Sequence, residues 1–266
     1  MRWRTGDSPG RGWKAFGAST PGKLLLGVAA VDALLLSAHG LHQVLVRADP
    51  EGWWPLPFRR RAVWNGGADG SLAELWGLLQ LSSAAVLLVL LARRVPKHGI
   101  LGTWGAVLLV MVADDLFRLH ERAGAFLDLE HRVPALSAAG GQELGGLAFW
   151  AAVGTVLSVA LVHSYTTSAA PARRAALILL AVTGPLGAVA VSYVLLSAFG
   201  GGLGDGTLAL VLADVRVTVK LLSMTACLLL ALHWSRTPPS TTGSCLDPMW
   251  DPAAEPGPRR PAEPMT

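Results

Sequence analysis

Six apolar stretches, each long enough to cross a lipid bilayer, constrain this chain more than anything else in it. They lie near 24–46, 72–92, 99–121, 144–164, 175–199 and 207–233. A hydrocarbon core about 30 Å thick takes roughly 20 helical residues, each rising about 1.5 Å. Inside such a core no water is present to bind backbone N–H and C=O groups, so each stretch must satisfy them internally as a helix. The composition agrees, with 52% of residues hydrophobic and only 15% charged. The expected fold class is therefore all-α: a six-helix transmembrane bundle spanning 22–235, with disordered cytoplasmic termini.

The flanking segments read differently. The basic leader 1–21 and the proline-rich tail 236–266 hold too little aliphatic surface to bury a core, and both are expected to be disordered. The first stretch has a basic flank like a signal peptide, but Asp32 interrupts its apolar run, so it reads as a retained helix. With the N-terminus inside, the inner segments carry thirteen lysines and arginines and the outer loops seven. That bias places both termini in the cytoplasm. Arginine outnumbers lysine 18 to 4. Abundant alanine and glycine add to this, pointing to a bacterial protein of the cytoplasmic (inner) membrane. Trp53, Trp54, Trp64 and Trp76 near one face, and Trp104 and Trp234 near the other, fit interfacial aromatic belts. The turns Arg93–Lys97 and 171–174 are expected on one side of the membrane.

Several function classes drop out. The net charge of +4 is spread over the ends of apolar runs rather than gathered in a patch, so no nucleic-acid partner is expected. The two cysteines, Cys227 and Cys245, form neither a disulfide framework nor a thiol metal site. No nucleotide-binding glycine motif stands between a strand and a helix. The partners that remain are the bilayer itself and a lipid-soluble substrate; oligomeric state is not encoded in these features.

Ionisable residues within the membrane are costly and mark function or pairing. Spans four and five carry none in their interior, so spans one, two, three and six are expected to build the site. In span one, Asp32, His39 and His42 fall on one helical face, and the i,i+3 histidines are spaced to share an ion. Span three ends in Asp114-Asp115-Leu116-Phe117-Arg118-Leu119-His120-Glu121-Arg122. As continuous helix, this run puts Asp114 and Glu121 on one face with Arg118 between them. A ladder in which Arg118 neutralises Asp114 accounts for Arg118, Glu121 and Arg122 but not for two adjacent aspartates, which point to function. Span two opens with Glu74, expected as a solvated interfacial carboxylate. Span six carries Asp214, Arg216 and Lys220. Matching depths predict an Asp32–Lys220 pair and an Arg216 facing Asp114 or Asp115. His39, Asp114 and Asp214 are expected at one level.

The Asp-Asp…His-Glu order at 114–121 resembles a pattern in uncharacterised bacterial multi-pass membrane proteins. The likeness covers about ten residues and implies no particular activity.

Three functions are compatible with these residues. An enzyme acting on a lipid, quinone or isoprenoid would use Asp114, Asp115, Glu121, Asp32 and Asp214 for acid–base work. His39, His42 and His120 would then hold divalent zinc, iron or manganese, with Arg118, Arg216, Lys220 and Glu74 as charge partners. An ion-coupled transporter would relay protons through Asp32, Asp214 and Lys220, with Thr183–Gly187 breaking span five. A scaffold would use the charges only to pair helices.

Overall fold

A computed structural model describes residues 20–48, 62–127, 129, 138–199, 207–237 and 239. Residues 1–19 of the leader, the tail beyond 239, Trp53, Trp54 and Cys245 lie outside the described residues, while residues 20 and 21 already belong to the first helix. The described chain is helical throughout, without strands: α1 (Thr20–Ala48), a short 3-10 turn (Ala62–Trp64), α2 (Leu72–Arg94), α3 (Gly99–Phe117), α4 (Leu119–Leu127), α5 (Ala138–Thr167), α6 (Ala170–Phe199) and α7 (Thr207–Arg236). All except α4 and the 3-10 turn are long and apolar enough to cross a membrane, which makes this a six-span polytopic membrane protein.

Local chemistry sets the helix ends. Ser71 caps α2, its hydroxyl accepting the Glu74 N–H, and α2 stops at the extended Val95 just before Pro96. At that end of the bundle the two charged turns meet. The Ala169 N–H donates to the Lys97 carbonyl, and the Ser168 hydroxyl accepts the first free N–H of α3, from Ile100. The two turns therefore share one side of the membrane.

The core runs between α2, α3 and α7. Leu81, Leu88, Leu101, Leu108 and Cys227 are fully enclosed, and Ala175 and Leu179 of α6 close one flank. Outward-facing apolar side chains such as Val156, Val159 and Val162 of α5 present the surface that lipid tails would cover. Trp104 and Trp234 depart from expectation. They are 5% and 6% exposed, packed into the core rather than ringing the bilayer surface. Both indoles belong to the buried core cluster of the bundle.

Two helices break differently from expectation. α6 continues through Pro185 from Ala170 to Phe199, so 183–187 makes no gap. The Thr183 hydroxyl donates to the Leu179 carbonyl one turn back, so its polar group is satisfied within the helix. Conversely, the third span stops at Phe117 instead of reaching 121. Arg118 adopts a left-handed conformation (φ 51°, ψ 46°), and the chain restarts as α4 in a new direction.

Candidate functional site

The break at Arg118 is organised by Asp114. Its backbone carbonyl accepts the Arg118 N–H and so closes α3. Its carboxylate then caps α4: Oδ1 accepts the His120 backbone N–H at 2.8 Å, and Oδ2 lies 2.8 Å from His120 Nδ1. A third donor arrives from α5, where Trp150 Nε1 lies 2.9 Å from Oδ2. Asp114 is 2% exposed, so these three bonds replace the water it has lost. His120 stays about one-third exposed. Because Nδ1–H is committed to Asp114, the second ring nitrogen, Nε2, carries the lone pair of the neutral ring. The Asp114 hydrogen bond raises the His120 imidazole above its ordinary 6.5 against the cost of burial, and the charges of Asp114, Glu121 and Asp115 add to the rise.

Close helix contact fixes the ring. A Cβ on Gly145 would stand 2.6 Å from Gly124 Cα, so α4 and α5 touch backbone to backbone. Gly146 of α5 then lies against the His120 ring and carbonyl.

The ladder expected along 114–121 does not form, because Arg118 turns away. Its guanidinium pairs with Asp69 at 3.0 Å, both exposed. Asp115 instead finds its cation on α7, with Lys220 Nζ 2.7 Å from Oδ2. Glu74 approaches the same ammonium at 3.6 Å and accepts the Gly70 N–H. Its side chain is 14% exposed, so it is a paired, mostly buried carboxylate rather than a solvated one. Arg216 meets neither aspartate. Its guanidinium lies over the Tyr193 ring of α6, 4.6 Å from the centroid, in a cation–π contact.

Near the same end, His39 (3% exposed) joins α1 to the loop before α2. The Gly66 N–H donates to Nδ1 at 3.0 Å, which puts the neutral ring's proton on Nε2. Nε2 faces Asp214 Oδ1 of α7 at 3.1 Å, an ion-pair distance poorly aligned for a hydrogen bond. The level predicted for His39 and Asp214 thus matches a contact. Gly66 is needed there, since a Cβ would stand 2.7 Å from Val217. His42 is also buried. No three histidine, cysteine or acidic side chains among the described residues converge as a metal cage. His39 and His120 each face a different carboxylate.

Asp32 sits deeper and does not pair with Lys220. Along α7, Lys220 precedes Thr225 by five residues, about 7.5 Å of rise, and Asp32 matches the deeper one. Trp76 Nε1 donates to Asp32 Oδ1 at 2.8 Å, Gln80 Nε2 approaches the same oxygen at 3.2 Å, and Thr225 Oγ1 lies 2.6 Å from Oδ2. The expected partner was wrong because a lysine stem reaches toward the membrane surface, away from Asp32.

The site's ionisable groups lie on α1, α2, α3, α4 and α7, and α5 adds Trp150. Sequence reasoning missed Trp150, Thr225 and Gly66 and gave Trp76 to the interfacial belt. A tryptophan one or two turns inside a span, level with an unpaired acid, was the available signal. An open surface strip also runs along α5 from Trp150 past Gly154 and Ser158 to Thr166. Searches against protein-family models, curated proteins and solved structures return no match to the chain.

Proposed function

We propose that this chain is a membrane-embedded enzyme of a bacterial cytoplasmic membrane, performing acid–base chemistry on a lipid, quinone or isoprenoid. His120 is the base, and Asp114 positions it. The observation that carries the reading is the buried Asp114 carboxylate holding Nδ1 of a partly exposed imidazole. A partly exposed base held by a third group, with its other nitrogen carrying the lone pair, is the arrangement that general-base activation of a hydroxyl or water requires. The exposed, mostly apolar face of α5 supports an apolar substrate, because it runs up to the tryptophan that binds Asp114. The mechanism needs no metal. The His39–Asp214 contact lies apart from the dyad and is assigned no catalytic part.

Mass spectrometry of lipid extracts tests this, comparing cells that carry the native chain, His120→Gln or Asp114→Asn. The native chain is expected to change at least one lipid species. Losing the base should slow that conversion roughly 10²–10⁴-fold, with protein level unchanged. An identical lipid change with His120→Gln would contradict the proposal.

A second reading, ion-coupled transport, is favoured by one observation: Lys220 stands between Asp115 and Glu74, so a proton added to either acid would release the lysine toward the other. Proton flux into liposomes that disappears in Lys220→Met while His120→Gln retains it would favour transport.

A further inference from the structure

At the end of the bundle where the two charged turns meet, the chain leaves α7 across a buried histidine. His98, 4% exposed, stands just before α3. Its Nε2 lies 3.0 Å from the Pro239 carbonyl oxygen, and its Nδ1 lies 2.9 Å from the Pro96 carbonyl oxygen. α7 ends at Arg236, and the Thr237 N–H still donates to the His233 carbonyl one turn back. Just past the helix, the chain is therefore held over the turn between α2 and α3. The surface it meets there is basic. Arg93, Arg94, Lys97, Arg174 and Arg236 are all exposed on it. The stretches that build this end, 88–104, 160–180 and 226–237, contain no acidic residue. None of the ion pairs among the described residues involves these cations.

We propose that this basic surface is a docking site for the chain's own acidic segment 247–255. Asp247, Asp251 and Glu255 fall within that segment with no basic residue among them. The tail's arginines, Arg259 and Arg260, come only after it. Asp247 lies eight residues past Pro239, a reach of up to roughly 27 Å in extended chain. That is enough to cross two helices, each about 10 Å in diameter. Because His98 already holds Pro239, the acids meet the cations as an intramolecular event at high effective concentration. A single exposed ion pair contributes little, whereas three acids facing a cluster of cations act as a network. Anionic lipid headgroups are drawn to the same cations by the same attraction, so segment and lipid compete for one surface. This inference is independent of the dyad, which lies at the other end of α3.

Pulsed electron spin resonance on the full chain in zwitterionic bilayers tests it by distance. One spin label goes on the native Cys245, two residues before Asp247, and the second on Ala170→Cys at the exposed start of α6. Cys227 is fully buried and stays unlabelled. With the acidic segment intact, the two labels should show a narrow, short-distance population. Combining Asp247→Asn, Asp251→Asn and Glu255→Gln should abolish it, as should salt at about 1 M, where the Debye length falls to about 3 Å. These substitutions lie past α7, so they leave the core of the bundle untouched. A broad distribution with the segment intact, matching that of the neutralised variant, would overturn the proposal and leave the basic turns to lipid headgroups. A short-distance population that survives neutralisation would overturn it as well, since charge would not be holding the segment.

Discussion

At the scale of single residues, neutral donors share with opposite charges the relief of buried acids in this bundle. Asp114 takes two donors from His120 and one from Trp150. Trp150→Phe removes one of the three and should destabilise the protein by about 1–3 kcal/mol, measured by thermal unfolding in detergent. The dyad also makes stability depend on pH. His120 is raised in the folded chain by its bond to Asp114, so its stabilisation is fully present below the unfolded value of 6.5. It is lost as pH rises through the higher folded value. The melting-temperature gap between native protein and His120→Gln should accordingly be widest in mild acid and narrow toward alkaline pH. A gap that widens with pH would reverse the assigned cause. Lys220→Met leaves Asp115 and Glu74 facing each other. It should cost less than the roughly 3–5 kcal/mol of a fully buried pair, since Lys220 is a quarter exposed. Adding Asp115→Asn and Glu74→Gln should recover most of that loss in the same unfolding assay.

At the scale of elements, the junction between α3 and α4 is the feature on which the candidate site turns. It depends on glycines that let α4 lie directly against α5. Gly145→Ala would force its Cβ into the Gly124 backbone. The strain should amount to about 1–3 kcal/mol and shift α4, taking His120 off Asp114. Loss of the Trp150–Asp114 bond, read from indole fluorescence, would report that shift even in folded protein. This junction also marks where sequence legibility ended. The six spans followed from length and hydropathy, because the bilayer admits few backbone solutions. The end of the third span did not. Read as ideal helix, 114–122 places Arg118 over Asp114, whereas one left-handed residue reorients everything after it. That turn is held by Asp114, whose carbonyl takes the Arg118 N–H and whose carboxylate caps α4, a local pattern that an ideal-helix reading passes over.

Over the whole molecule, the division into four ionisable helices and two supporting ones was legible because α5 and α6 carry no interior charge. Which partner each charge takes was not legible, since depth along a span fixes height but not rotation or reach. His39 and Asp214 met as their levels required, while Asp32 passed over Lys220 for Thr225. The same arithmetic could not see that an indole from a supporting helix completes the Asp114 environment. The result is a bundle whose candidate site lies where α3 gives way to α4, beside the exposed face of α5. The central claim, that Asp114 holds His120 as an oriented base, is tested most directly by ¹⁵N-histidine NMR of the full chain in bilayers. His120 should show a proton on Nδ1 in its neutral form and titrate above 6.5, and Asp114→Asn should abolish both. A neutral His120 carrying its proton on Nε2, unaffected by Asp114→Asn, would contradict the account.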